Sequence, residues 1–107
     1  MGITIDNIIE EMEQYIPDLN KDKIREAYRV ASESHEGQFR RSGEPYIIHP
    51  LAVSEILLNM KMDESSIVAA LLHDVVEDTK VTIEDVERDF GEEVAYLVDG
   101  LTKLKKI

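Results

Sequence analysis

IVAALLHDVVEDT, residues 67–79, decides how this chain folds. From Ile67 to Leu72, and again at Val75 and Val76, it is apolar on every side of a helical wheel. A helix with that profile is buried. Yet its end carries an imidazole and three carboxylates. His73 and Glu77 are four residues apart and share one face. Asp74 and Asp78 repeat that spacing on a neighbouring face, about 100° round. Burying even one carboxylate without a partner costs several kcal/mol. The offset must come from solvent at the helix end, from incoming basic side chains, or from a divalent cation. Acidic residues at a helix C-terminus oppose the helix dipole, so they bring no obvious structural benefit there. Imidazole with carboxylate suits Mn²⁺, Fe²⁺ or Zn²⁺, and His73 and Asp74 differ enough in length to reach one ion from adjacent positions.

Outward from this rod the pattern stays helical. Ile5, Ile8, Ile9, Met12 and Ile16 recur at helical spacing until Pro17. Asn20 is placed to cap a second helix with Ile24, Ala27, Tyr28 and Ala31 on its apolar face, ending at Gly37. Pro50 suits the first turn of a third, with Val53, Ile56, Leu57 and Met60 on one side. Asp63 is placed to cap the fourth, from Glu64 to about Val76. Thr82 and Asp85 resemble a capping box for a fifth, which Gly91 closes. A sixth begins near Glu92 and carries Val94, Ala95, Leu97, Val98, Leu101 and Leu104.

Residues 38–49, QFRRSGEPYIIH, interrupt the helices, and the Ser42–Pro45 turn chemistry predicts an ordered loop. His49 follows an apolar pair and precedes a helix start, a setting that suits a structural histidine as well as a ligand. Arg40 and Arg41 are either a solvated pair offsetting acidic neighbours or a clamp for an anion. Ser42 and the adjacent turn could offer such an anion a hydroxyl and backbone N–H groups. His35, in SESHEGQ, reads as a surface residue.

Composition narrows the classes. The chain has 107 residues, a 43% apolar fraction and a formal net charge of −11. That length suits one small domain. A surface so acidic repels phosphate backbones, which argues against general nucleic-acid binding but leaves room for one small anion at a local basic patch. The positive charges gather in KDKIREAYR, in Arg40 and Arg41, and in KLKK, with Lys103, Lys105 and Lys106. With no cysteine, disulfides and thiolate metal sites are excluded, which fits a reducing cytoplasm. No apolar run approaches the roughly 20 residues that span a bilayer, so no membrane partner is expected.

HEGQFRRSGEPYIIHP, then ALLHDVVEDT, then FGEEVAYLVDGLTKL closely resemble the N-terminal hydrolase domain of the RelA/SpoT-type (p)ppGpp synthetase/hydrolases of the bacterial stringent response. The HD pair is that of metal-dependent HD phosphohydrolases, and members are also named GTP pyrophosphokinases. The resemblance implies an all-α HD-domain bundle, represented here by its first five to six helices. It implies that His49, His73 and Asp74 ligate Mn²⁺ and that Glu77 and Asp78 handle the attacking water. It implies that Arg40, Arg41 and Ser42 contact a guanine nucleotide, ppGpp or pppGpp, whose 3′-pyrophosphate is removed. The family completes its metal site with an Asp from a later helix, in a segment like ADRLHNMRT that these residues do not include. The expectation is therefore an N-terminal part of a hydrolase domain, without synthetase or regulatory domains and with little turnover of its own. A noncatalytic helical module, or another HD nucleotide phosphohydrolase, is the alternative. The wide apolar stripe of the last helix, Val94, Leu97, Val98, Leu101 and Leu104, predicts self-association into a homo-oligomer.

Overall fold

The computed structural model describes residues 2–105. The described residues form six helices: α1 (Ile5–Glu13), α2 (Lys21–Ser34), α3 (Ile48–Asn59), α4 (Glu64–Asp78), α5 (Ile83–Phe90) and α6 (Glu92–Lys105). Among them there is no named strand, only an isolated bridge between Phe39 and Pro45. The all-α expectation holds. No described helix is long and apolar enough to cross a membrane.

The caps are those that the side chains dictate. The Asn20 side chain accepts from Lys23 N, and that of Asp63 accepts from Ser66 N at 2.9 Å. Thr82 and Asp85 form a reciprocal capping box. Thr4 and Asn7 form another, which the sequence reading did not anticipate. α4 runs two residues past its expected end, so Glu77 and Asp78 are helical. Thr79 then stops it, its hydroxyl donating to Val75 O at 2.7 Å and accepting from Val81 N at 3.2 Å.

α4 is the centre. Helices α2, α3 and α6 pack around it, α5 lies on α6, and α1 rests against α2 and α3. Every residue from Ile67 to Val75 is buried. Each fully buried Leu, Ile or Val contributes about 1.5–3 kcal/mol relative to leaving it exposed. This burial holds the end of α4 in register with the chain around it.

Two expected faces differ. In α3 the buried side is Pro50, Leu51, Ser54 and Leu58, while Ile56 and Met60 face solvent and Val53 and Leu57 are half-buried. This helix is apolar on several sides, so spacing did not single out one stripe. Ser54 is tolerated inside because its hydroxyl donates to Pro50 O at 2.8 Å. In α6, Val94, Ala95 and Val98 are covered, and only Leu101 and Leu104 of the predicted sticky stripe are exposed. With Val53, Leu57, Ser66, Ala70 and His73 they line a groove of ≈ 400 Å³.

The basic stretch at residues 21–29 is spoken for. Lys21 pairs with Glu13, Arg25 with Asp6, and Arg29 with Glu26 and Glu33. Lys103 pairs with Asp99 at 2.9 Å. The Lys105 side chain and Lys106 lie outside the described residues.

Candidate metal centre

The connection between α2 and α3 builds half of the site. Tyr46 N donates to Gln38 O, and Arg40 N donates to Glu44 O, each at 2.9 Å. Gly43 N returns to Arg40 O at 2.8 Å, and Gly43 takes φ 90, a left-handed value that a side chain would strain. The result is a small hairpin with Arg40, Arg41 and Ser42 exposed at its tip. Past Pro45 the chain turns again, with Ile48 N donating to Pro45 O and His49 N to Tyr46 O. Tyr46 and His49 thus come from one tight turn that opens α3.

That turn meets the last part of α4. His49 Nε2 lies 3.7 Å from Asp74 Oδ2, and His73 Nε2 lies 3.2 Å from Asp74 Oδ1. One potential ligand atom from each of His49, His73 and Asp74 falls within 4.8 Å of the others. His73 and Asp74 are buried, and His49 is half-exposed at the mouth. The buried carboxylate accepts from the Tyr46 hydroxyl at 2.8 Å. The Tyr46 phenol, with the His49 ring 3.7 Å away, therefore offsets part of its burial, where the sequence left solvent, bases or a cation open.

The donor set fits a divalent cation. His73 Nδ1 lies 2.8 Å from the Ala70 carbonyl oxygen, which can only accept, so Nδ1 carries the proton. Nε2 then presents a lone pair toward Asp74, the backing that metal-binding histidines commonly have. Two imidazoles with one carboxylate suit the borderline divalent ions. HD domains use such a metal, and these three residues can hold one.

The other candidates differ in how they stand to this group. Glu77 and Asp78 are exposed on the final turn of α4 and are not part of the three-residue cluster. Arg40 Nη1 donates to His49 Nδ1 at 3.2 Å, so one member of the arginine pair touches the site directly. Asp99 lies on α6 and is not part of the cluster.

His35 overturns its expected surface placement. It is 3% exposed, with its ring centroid 4.4 Å from that of Tyr46 and Nδ1 3.3 Å from Gln38 Oε1. Its Nε2 is buried with no hydrogen-bond partner. Polar neighbours in the sequence suggested solvent, but the hairpin folds back and lays Tyr46 over the ring. Tyr46 was the functional candidate that sequence reasoning missed. Its signal was its place three residues before His49 in a turn.

A family model described as an HD domain matches residues 27–107. The chain is 55% identical over 93 residues to a GTP pyrophosphokinase of Myxococcus xanthus, covering 87% of this chain and 12% of that protein. It is 52% identical over 96 residues to the bifunctional (p)ppGpp synthase/hydrolase SpoT of Escherichia coli (strain K12), covering 90% and 14%. It is 49% identical over 102 residues to a guanosine-3′,5′-bis(diphosphate) 3′-pyrophosphohydrolase of Vibrio cholerae, covering 95% and 14%. The chain spans only 12–14% of the length of these relatives. With its HD pair buried on α4 beside an imidazole from the α2–α3 turn, the chain belongs to the HD domain family.

Proposed function

We propose that this chain is part of a metal-dependent (p)ppGpp 3′-pyrophosphohydrolase of the stringent response. The observation that carries the reading is the convergence of His49, His73 and Asp74 within 4.8 Å. The names of the relatives supply the substrate class, a guanosine 3′,5′-bis(diphosphate).

His49, His73 and Asp74 would hold the ion, and Mn²⁺ is the metal the resemblance favours. When bound, it supplies Lewis-acid polarisation of a phosphoryl oxygen and a lower pKa for water. The chain's residues do the rest. The Ala70 carbonyl fixes the His73 proton on Nδ1. Glu77 and Asp78, one helical turn beyond the HD pair, orient the attacking water and accept its proton. Arg40, Arg41 and Ser42, on the hairpin tip, bind the nucleotide and hold its pyrophosphate at the mouth. Water adds across the bond between the 3′-oxygen and phosphorus; a proton ends on the 3′-oxygen, and pyrophosphate leaves.

The test is pyrophosphate release from ppGpp with added Mn²⁺, by this chain and by a version extended past residue 107. Three protein donors make a weak centre, so turnover by residues 1–107 is expected to be low and that of the extended version higher. An extended version that binds Mn²⁺ yet leaves ppGpp intact would remove the reading.

A further inference from the structure

We infer that Tyr46 is the positioning residue of this centre, holding Asp74 in the orientation that a cation requires. The inference rests on reading His49, His73 and Asp74 as a metal site. Tyr46 meets three groups at once. Its hydroxyl donates to Asp74 Oδ2 at 2.8 Å. Its ring stands edge-on to His49, with centroids 5.9 Å apart and planes at 70°. Its other neighbour is the buried ring of His35, at 4.4 Å and a 31° tilt.

A carboxylate has two oxygens and rotates about its own axis. Here the phenol engages Oδ2, while Oδ1 lies against His73 Nε2. A neutral donor stabilises the buried anion without adding a positive charge that would repel an incoming cation. Groups of this kind set the orientation of a ligand, and losing one commonly costs 10–100-fold in metal affinity. The phenol in turn needs a fixed ring. The hairpin bond to Gln38 O fixes its backbone, and His35 backs its face. A buried histidine with an unpartnered nitrogen brings little stability by itself. Its place under Tyr46 gives it a purpose: a flat, rigid backing.

Mn²⁺ binding, read from the loss of the free-ion electron spin resonance signal, tests this on the whole chain. Tyr46→Phe keeps the ring and removes the hydroxyl. It should bind about tenfold more weakly than wild type, with a melting temperature close to that of wild type. His35→Phe, which keeps an aromatic backing, should bind like wild type, whereas His35→Ala should weaken binding. Tyr46→Phe affinity within twofold of wild type would overturn the positioning role and leave the metal site standing. A wild-type chain that binds no Mn²⁺ would overturn both. Fluorotyrosine in the wild-type chain gives a second measurement should Tyr46→Phe fail to fold. Of the four tyrosines, the Tyr46 resonance, assigned by substituting the others with Phe, should move when Zn²⁺ is added; an unmoved resonance counts against the inference.

Discussion

His73 Nδ1 sits 2.8 Å from the carbonyl oxygen of Ala70, one turn back along α4. A main-chain acceptor therefore chooses the tautomer of the HD histidine before any ion arrives. In nitrogen-15 spectra of the metal-free chain, His73 should carry its proton on Nδ1, and Zn²⁺ should perturb its Nε2 first. A spectrum with the proton on Nε2 would show that the ring is not poised as a ligand.

Asp74 is the buried member of the centre. Asp74→Asn keeps its shape and leaves Tyr46 an acceptor, but removes the charge. Metal affinity should fall by more than the ~10–100-fold typical of supporting residues. The melting temperature should fall little or rise, because a buried anion is costly. Calorimetric titration with Mn²⁺ and a thermal melt of the same sample check both.

Arg40 faces two ways. Its guanidinium donates to His49 Nδ1, which places the neutral ring's proton on Nε2, toward Asp74. Ligation through Nε2 moves that proton to Nδ1, and two donors then face each other. Metal binding should therefore release Arg40 from His49, visible as a change in the arginine side-chain resonances on adding Zn²⁺. Arg40→Ala should tighten metal binding by about fivefold, the worth of one competing hydrogen bond, while weakening nucleotide binding. Arg41→Ala should weaken nucleotide binding alone.

Stability should depend on the α4 cap in a definite pH window. Hydrogen bonds from Ser66, its side chain first and then its backbone, hold the Asp63 carboxyl below the ordinary value of 3.8. A carboxyl depressed on folding contributes stability that is complete above the unfolded value and lost as pH falls through the folded one. The contribution should vanish below the ordinary range and stay flat at neutral pH. Asp63→Ala should cost about 1 kcal/mol at pH 7. The difference from wild type in urea melts should shrink when both are measured in strong acid.

Leu101 and Leu104 remain exposed where the rest of the α6 stripe is covered. Light scattering at high concentration should show self-association, and Leu104→Glu should reduce it. A monomer at every concentration would end the idea.

The helices were legible because caps and spacing are local. Asn20, Asp63 and the Thr82–Asp85 pair each act within three residues, so sequence alone located the starts of α2, α4 and α5. The HD pair was legible because a carboxylate in an apolar run costs too much to be idle. His35 and Tyr46 were not, since their burial depends on a hairpin that folds back across the end of α2. The buried side of α3 was hidden for another reason. Where a helix is apolar nearly all round, its neighbours choose the face, and for α3 those neighbours are other helices, α4 and α1, whose placement its own spacing does not encode.

The α2–α3 hairpin delivers His49, while His73 and Asp74 belong to the central helix. An ion bridging them would act as a removable tether between a surface connection and the core. Chelation should then raise amide exchange across residues 38–49 while the amides of Ile67–Leu72 stay slow. Its hairpin bonds and the Tyr46–Asp74 bond hold the connection without cargo, and an ion would tighten it further, so the degree of local order in this loop would report whether the centre is loaded.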